Sequence, residues 1–161
     1  MNKAMLLMQS TAFNKRKKEN MTLRERCKIL QFIDRGDERG KLVVIEGGQE
    51  IPFNIKRVFY IYESDSSVVR GRHANRFSEF VLINVAGHSK VRITDGTEEL
   101  VVELNKPMMG VYIPRMIWKD MYDFSQDSVL LVLASAHYNE NEYIRDYYSY
   151  INATKEKNSH E

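Results

Sequence analysis

Seven polar side chains crowd into residues 70–79: Arg70, Arg72, His73, Asn75, Arg76, Ser78 and Glu79. His73 is the member that can both accept and return a proton near neutrality, because an unperturbed imidazole titrates at about 6.5. Asn75, two residues on, has an amide that donates and accepts hydrogen bonds but takes up no proton at neutral pH. In an extended strand alternate side chains share a face, so His73 and Asn75 point together in a row with Val69 and Gly71. Arg70, Arg72, Ala74 and Arg76 form the opposite row. A histidine and a primary amide beside arginines could make a small polar pocket suited to moving a proton. The alternative is a solvated strand entrance with incidental charges.

The elements around this cluster read as short strands. An apolar run at 80–85 follows it directly, and Gly87 fits the turn that ends that strand. Upstream, residues 27–33 and 41–46 read as strands separated by the turn GDERG, and Pro52 suits a strand entrance. In RVFYIY, Val58, Tyr60 and Tyr62 form one row and Phe59 and Ile61 the other, so both faces of that strand need cover. Downstream, KVRIT, an Asp95-Gly96 turn and an alternating run at 99–104 predict a hairpin. In 117–124, Ile117, Lys119 and Met121 fall on one face and Trp118, Asp120 and Tyr122 on the other. VLLVLA is the most apolar strand. Many short strands without a βαβ rhythm predict an antiparallel sandwich or barrel. Only residues 142–151 depart from this, with Tyr143, Ile144, Tyr147, Tyr148 and Ile151 at the spacing of a short packed helix.

Size and composition set bounds on the whole. The 161 residues, 43% hydrophobic and 29% charged, fit one domain with a self-sufficient core. Cys27 is the single cysteine, which rules out an internal disulfide and favours a reducing compartment, hence the cytoplasm. No apolar stretch reaches the length of a membrane span, and the start lacks the order of a secretory signal. The net charge of +2 is concentrated near the start, without the spacing of a known nucleic-acid-binding motif. The expected organisation is a flexible basic leader over 1–25, a single domain over 26–151 and a disordered tail over 152–161. Met21 stands where an alternative start would.

The strand order resembles the cupins, the double-stranded β-helix or jelly-roll sandwiches, so the fold expected is an all-β cupin with a short C-terminal helix. Metal-binding cupins carry H-x-H-x(3,4)-E and a later histidine. The corresponding run here is His73, Asn75 and Glu79, and Trp118 and Lys119 stand where the last histidine would fall. One imidazole, one carboxylate and a neutral amide make a poor divalent-metal site, so no metal is expected.

A more specific resemblance covers nearly everything from Cys27 to about Ile151. The segments 37–46, 51–62, 69–76, 80–91, 110–125, 129–135 and 143–147 are similar, in order, to the sugar 3,4-ketoisomerases. That family acts on thymidine-diphosphate-linked 4-keto-6-deoxyglucose. The resemblance implies a homodimer that exchanges N-terminal strands, and no metal or redox cofactor. The family's R-G-x-H-A-H run matches Arg70 to Asn75, with asparagine in place of the second histidine, the one usually favoured as the base. The base role is therefore expected at His73. Tyr60 or Tyr62 would match the pocket tyrosine, a choice the sequence leaves open. Arg70, Arg72 and Asn75 would contact the sugar side, and Arg115 and Trp118, from IPRMIW, the nucleotide side.

The reaction implied is conversion of the 4-keto-6-deoxy sugar to a 3-keto-6-deoxyhexose of galactose or glucose configuration through an enediolate. Such a product suits transamination toward an amino sugar of lipopolysaccharide or capsule. Two alternatives from other classes stand beside it: a non-catalytic nucleotide-sugar-binding cupin, and a metal-dependent cupin enzyme.

Overall fold

The computed structural model describes residues 21–159. Within them ten strands form two five-stranded sheets whose strand pairs are antiparallel. Sheet I has the order β1 (Ile29–Gln31), β7 (Met109–Ile113), β4 (Phe80–Ala86), β9 (Val129–Ala134), β2 (Arg57–Tyr62). Sheet II has the order β10 (Tyr143–Ile144), β3 (Arg70–Asn75), β8 (Trp118–Tyr122), β5 (Ser89–Thr94), β6 (Glu99–Leu104). The predicted hairpin is β5–β6, with Thr94 opposite Glu99 and the Asp95 carboxylate accepting from the Thr97 and Glu98 amides.

Period-two alternation builds the core. Phe80 and Leu82 of β4, Leu130 and Val132 of β9, Val91 and Ile93 of β5, and Met121 of β8 meet between the sheets. Burying each of these large side chains is worth about 1.5–3 kcal/mol. The strands of sheet I are apolar on both faces because that sheet is covered twice. Val81, Ile83 and Leu133 face outward under Phe32, Ile51 and Phe53 from the segment between β1 and β2. On the outer face of sheet II, Ala74 and Trp118 lie under Tyr150 and Ile151 of α2 (Tyr147–Ser159).

Four expectations are corrected. Residues 41–46 join no sheet as a strand; Val43 makes a lone bridge to Asp34, because this segment serves as a lid on sheet I. The leader does not extend to residue 25. A capping box between Thr22 and Glu25 starts a one-turn helix, α1 (Leu23–Arg26), and Leu23 and Cys27 are buried in the main core. Arg26 pairs with Asp95, fixing this turn to the β5–β6 hairpin. At the other end the helix begins later than predicted and continues through Ser159, past the expected boundary at 152, because Tyr150 anchors it with hydrogen bonds to the Thr94 and Met116 carbonyls. Before it, Glu140–Glu142 forms a 3-10 turn. Residues 1–20, the bulk of the basic leader, lie outside the described residues.

Candidate active site

The pairing of β3 with β8 decides which polar residues meet. Arg70 faces Met121 and Gly71 faces Asp120, but His73, not Arg72, faces Lys119. The extra residue makes a bulge, with Gly71 at φ 83° and Arg72 at φ 52°. Gly71 is required there: a Cβ would stand 2.7 Å from the Lys119 carbonyl oxygen in a backbone region that side chains rarely adopt. The bulge corrects the row assignment made by plain alternation. Residues directly opposite across a ladder share a face, so Arg70, His73, Asn75, Lys119 and Met121 all belong to the inner row. Gly71 and Ala74 belong to the outer one.

His73 is partly buried at one end of the sandwich. Its Nδ1 lies 2.8 Å from the Gly71 carbonyl oxygen, which places the proton on Nδ1 and leaves the Nε2 lone pair free. The ring rests against Tyr143, with centroids 4.8 Å apart. Burial, assisted by the positive charges of Lys119 and Arg145 and opposed by the Gly71 carbonyl and Glu142, pushes its pKa down to about 4. His73 is thus a neutral imidazole at pH 7, able to accept a proton.

Asn75 is fully buried. Its Oδ1 accepts from Lys119 Nζ at 2.7 Å, while Nδ2 has no hydrogen-bond partner. A buried donor left unmet costs about 1–3 kcal/mol, a reason to expect an acceptor there in the working state. Lys119 lies buried with Nζ 4.5 Å from the centre of the Phe80 ring. Burial pushes its pKa down to about 7; Glu142 acts against this and Arg57 with it. Arg57, from the inner row of β2, reaches the same place, its guanidinium 6.0 Å from Phe80 and 5.6 Å from Tyr138. Two of its nitrogens, Nε and Nη2, are buried without a partner.

One carboxylate balances these cations. Glu142 accepts from the backbone of Ser78 at 2.8 Å and of Phe77 at 3.1 Å, and from the Ser78 hydroxyl. Burial pushes its pKa up, but these bonds outweigh burial and hold it below the ordinary carboxylate value. The Asn75 amide contributes electrostatically to the same lowering, although Nδ2 stands outside hydrogen-bond geometry. The site therefore combines a neutral base, unpaired donors and an excess of positive charge, which is what an enolising oxygen substrate with an anionic tail requires.

Of the residues singled out from sequence, the fold brings His73, Asn75 and Arg70 together; Arg70 sits at the exposed mouth with Nε donating to Ser64 Oγ at 3.0 Å. Tyr60 and Tyr62 are not brought in. They occupy the outer row of β2, 62% and 55% exposed, while the inward row is Arg57, Phe59 and Ile61. Trp118 is on the outer row of β8, beneath α2, with Nε1 donating to Asp120 and its face meeting Tyr147 edge-on. Arg72 joins Arg92, Arg145 and Tyr147 around a shallow groove on that outer face. Arg115 is exposed in the turn whose Met116 amide donates to the Asn75 carbonyl. Glu79 accepts from the Tyr112 hydroxyl at 2.6 Å, away from His73. Among the described residues no group of three or more His, Cys, Asp or Glu is placed to hold a metal ion.

Sequence reasoning missed Arg57, Lys119, Tyr143 and Glu142 as site residues. A signal was present for two of them. Arg57 shares a row with Phe59 and Ile61, and Lys119 lies between Ile117 and Met121, so each is a cation in a row that otherwise belongs to the core.

Comparison with known proteins gives the fold a class and the chain a family. The two-sheet architecture is that of the cupin fold. A dTDP-6-deoxy-D-glucose-3,5-epimerase from Legionella pneumophila superposes with a TM-score of 0.67 at 17% identity, over 76% of this chain and 73% of that one. Residues 25–155 match the family described as FdtA: WxcM-like, C-terminal, and the chain belongs to it. A TDP-4-oxo-6-deoxy-alpha-D-glucose-3,4-oxoisomerase from Aneurinibacillus thermoaerophilus is 42% identical over 120 residues, 74% of this chain and 86% of that protein. The sugar 3,4-ketoisomerase QdtA from Thermoanaerobacterium thermosaccharolyticum, solved with TDP, is 42% identical with a TM-score of 0.79, over 82% and 96% of the two chains. A histidine-to-asparagine variant of QdtA, solved with TDP-4-keto-6-deoxyglucose, is 41% identical with a TM-score of 0.80, over 84% and 97%.

Proposed function

We propose that this chain is a sugar 3,4-ketoisomerase acting on TDP-4-keto-6-deoxyglucose. The observation that carries the reading is His73, a buried neutral imidazole with Nε2 free, set among unpaired donors in a chain of this family. The C4 ketone acidifies the C3 hydrogen. His73 Nε2 removes that proton, the electron pair passes to the C4 oxygen, and return of the proton at C4, with transfer of the C3 hydroxyl proton to the C4 oxygen, leaves the ketone at C3. Arg57, Arg70, Lys119 and the Asn75 amide supply donors and positive charge for the enediolate oxygens. Losing one well-aimed donor of this kind costs about 3–4 kcal/mol in the transition state. Phe80 and Tyr143 flank these polar groups with apolar surface, which strengthens their electrostatics.

Incubation with TDP-4-keto-6-deoxyglucose, followed by NMR, tests the assignment. The expected outcome is movement of the carbonyl carbon from C4 to C3; saturable binding without conversion would make the chain a nucleotide-sugar-binding protein instead. The 3-keto product suits a following transamination, and an aminotransferase that accepts the starting material but not this product would argue against that order. Among the described residues no helix is long and apolar enough to cross a membrane. Cys27 is buried and unpaired, and a single free cysteine suits a reducing cytoplasm; cell fractionation checks that placement.

The functional unit is read as a homodimer. β2 is the edge strand of sheet I, and Val58, Tyr60 and Tyr62 present an exposed apolar row on it. Within the single chain β1 pairs with its own β7. Exchange would make the same pairing with the partner's strand.

A further inference from the structure

The isomerisation moves two protons, one between carbons and one between oxygens. His73 accounts for the first. Once it has taken the C3 proton, the intermediate carries negative charge on the C4 oxygen and still has a hydroxyl at C3. The C4 oxygen must gain a proton and the C3 hydroxyl must lose one before C4 can be protonated and the C3 ketone formed. Asn75, the polar neighbour of His73 on the inner row, cannot carry a proton. Arg57 and Arg70 cannot give theirs up.

Lys119 can. It is the residue directly opposite His73 across the β3–β8 ladder, and its Nζ is fixed by the Asn75 Oδ1 at 2.7 Å. Each proton carrier on this inner row is therefore held by a polar anchor: His73 by the Gly71 carbonyl, Lys119 by the Asn75 carbonyl oxygen. We propose that Lys119 is a second catalytic residue, carrying the proton between the two sugar oxygens while His73 carries the proton between the two carbons. The proposal rests on the ketoisomerase reading of the site.

The step balances. The Lys119 ammonium gives a proton to the C4 oxygen and, as the amine, takes the C3 hydroxyl proton. The electron pair of that O–H bond forms the C3 carbonyl, and the enediol π pair takes the proton from His73 at C4. The C3–H and O3–H bonds are broken, C4–H and O4–H are formed, and both residues return to their starting states. A lysine serves here because its surroundings place it near neutrality. Burial and Arg57 from β2 lower its affinity for a proton, Glu142 from the 3-10 turn raises it, and His73 opposite is uncharged. An ordinary surface lysine would hold its proton about three powers of ten more tightly.

The test separates the two proton movements in deuterated solvent, with exchange of the C3 hydrogen reporting His73 and appearance of the 3-keto sugar reporting both. In Lys119→Arg, which keeps the charge and the donors but not the proton transfer, isomerisation is expected to fall by about a hundredfold or more while C3 exchange stays within about tenfold of wild type, since the substrate still enolises and returns. Lys119→Met, which also removes a donor to the enediolate, should lose isomerisation at least as far and slow C3 exchange as well. Asn75→His placed in the Lys119→Met background should recover isomerisation, because an imidazole at that position can carry the proton. Loss of exchange and isomerisation in proportion in Lys119→Arg, or full isomerisation in either Lys119 variant, would each overturn the proposal. A wild-type protein that neither exchanges nor isomerises would instead overturn the ketoisomerase reading.

Discussion

At the scale of single residues, His73 is set for its role by three contacts that each do something different. The Gly71 carbonyl selects the tautomer, the Tyr143 ring excludes water from one side, and the Lys119 charge opposes protonation. The consequence for stability has a definite sign. Between pH about 6.5 and about 4 the unfolded chain takes up a proton at this histidine and the folded one does not, so folding stability declines as pH falls through that window and His73 adds no pH dependence above it. His73→Asn should flatten this part of the curve. Thermal denaturation of both proteins from pH 7 down to pH 4 checks it: the wild type should lose ground relative to the variant, and parallel curves would contradict the burial argument. The histidine's type and its sharing of a row with Asn75 were legible from the sequence, because both are local; that this row also holds Arg70 and faces Lys119 was not. The misplaced Tyr60 and Tyr62 show the limit. Both rows of RVFYIY are bulky, and only the pairing of β2 with β9, with Tyr60 opposite Leu131, assigns Arg57, Phe59 and Ile61 to the interior.

At the scale of elements, the site depends on the bulge in β3. Without the bulge, either Arg70 would fall on the outer face or His73 would lose its direct opposition to Lys119. Gly71→Ala is therefore expected to destabilise the fold by about 1–3 kcal/mol, through the left-handed backbone and the contact with the Lys119 carbonyl. It should also cost activity out of proportion to stability, because the ladder must shift to relieve the contact. Chemical denaturation with activity measured below the transition checks both; an unchanged midpoint and unchanged turnover would show that the bulge tolerates a side chain. Regular alternation predicted the rows of β5 and β6 because nothing interrupts their pairing. It failed in β3, where a glycine and a left-handed arginine insert one residue, a tertiary choice imposed by the pairing with β8. The strand ending in Gly87 and the Asp95-Gly96 hairpin were legible for the opposite reason, their turn chemistry being local. Residues 41–46 carry strand-like residues but serve as a cover, which no local pattern distinguishes.

At the scale of the whole molecule, sheet I is shielded over much of its outer face by the 32–55 segment, yet its edge strand is not. Val58, Tyr60 and Tyr62 remain more than half exposed, and the free edge of β2 has no strand beside it among the described residues. A dimer that covers this row explains why the chain places aromatic residues there. Light scattering at micromolar concentration should give twice the chain mass, and Tyr60→Lys with Tyr62→Lys should shift it toward the monomer; a stable wild-type monomer would remove the basis for the homodimer. The architecture was legible from strand spacing and from the resemblance, since the order of strands survives any uncertainty in register. The folded boundaries were less so. Leu23 enters the core from a segment whose neighbours read as a charged leader, and Tyr150 holds a helix that composition alone would end at 151.

On the proposed reading, His73 removes a carbon-bound proton from a 4-keto sugar. The most direct measurement is NMR of TDP-4-keto-6-deoxyglucose in deuterated buffer with wild-type protein and with His73→Asn. Wild type is expected to replace the C3 hydrogen with deuterium and form the 3-keto product, and the variant to do both at least about a hundredfold more slowly while still binding TDP. Deuterium incorporation at the wild-type rate in His73→Asn would contradict that reading.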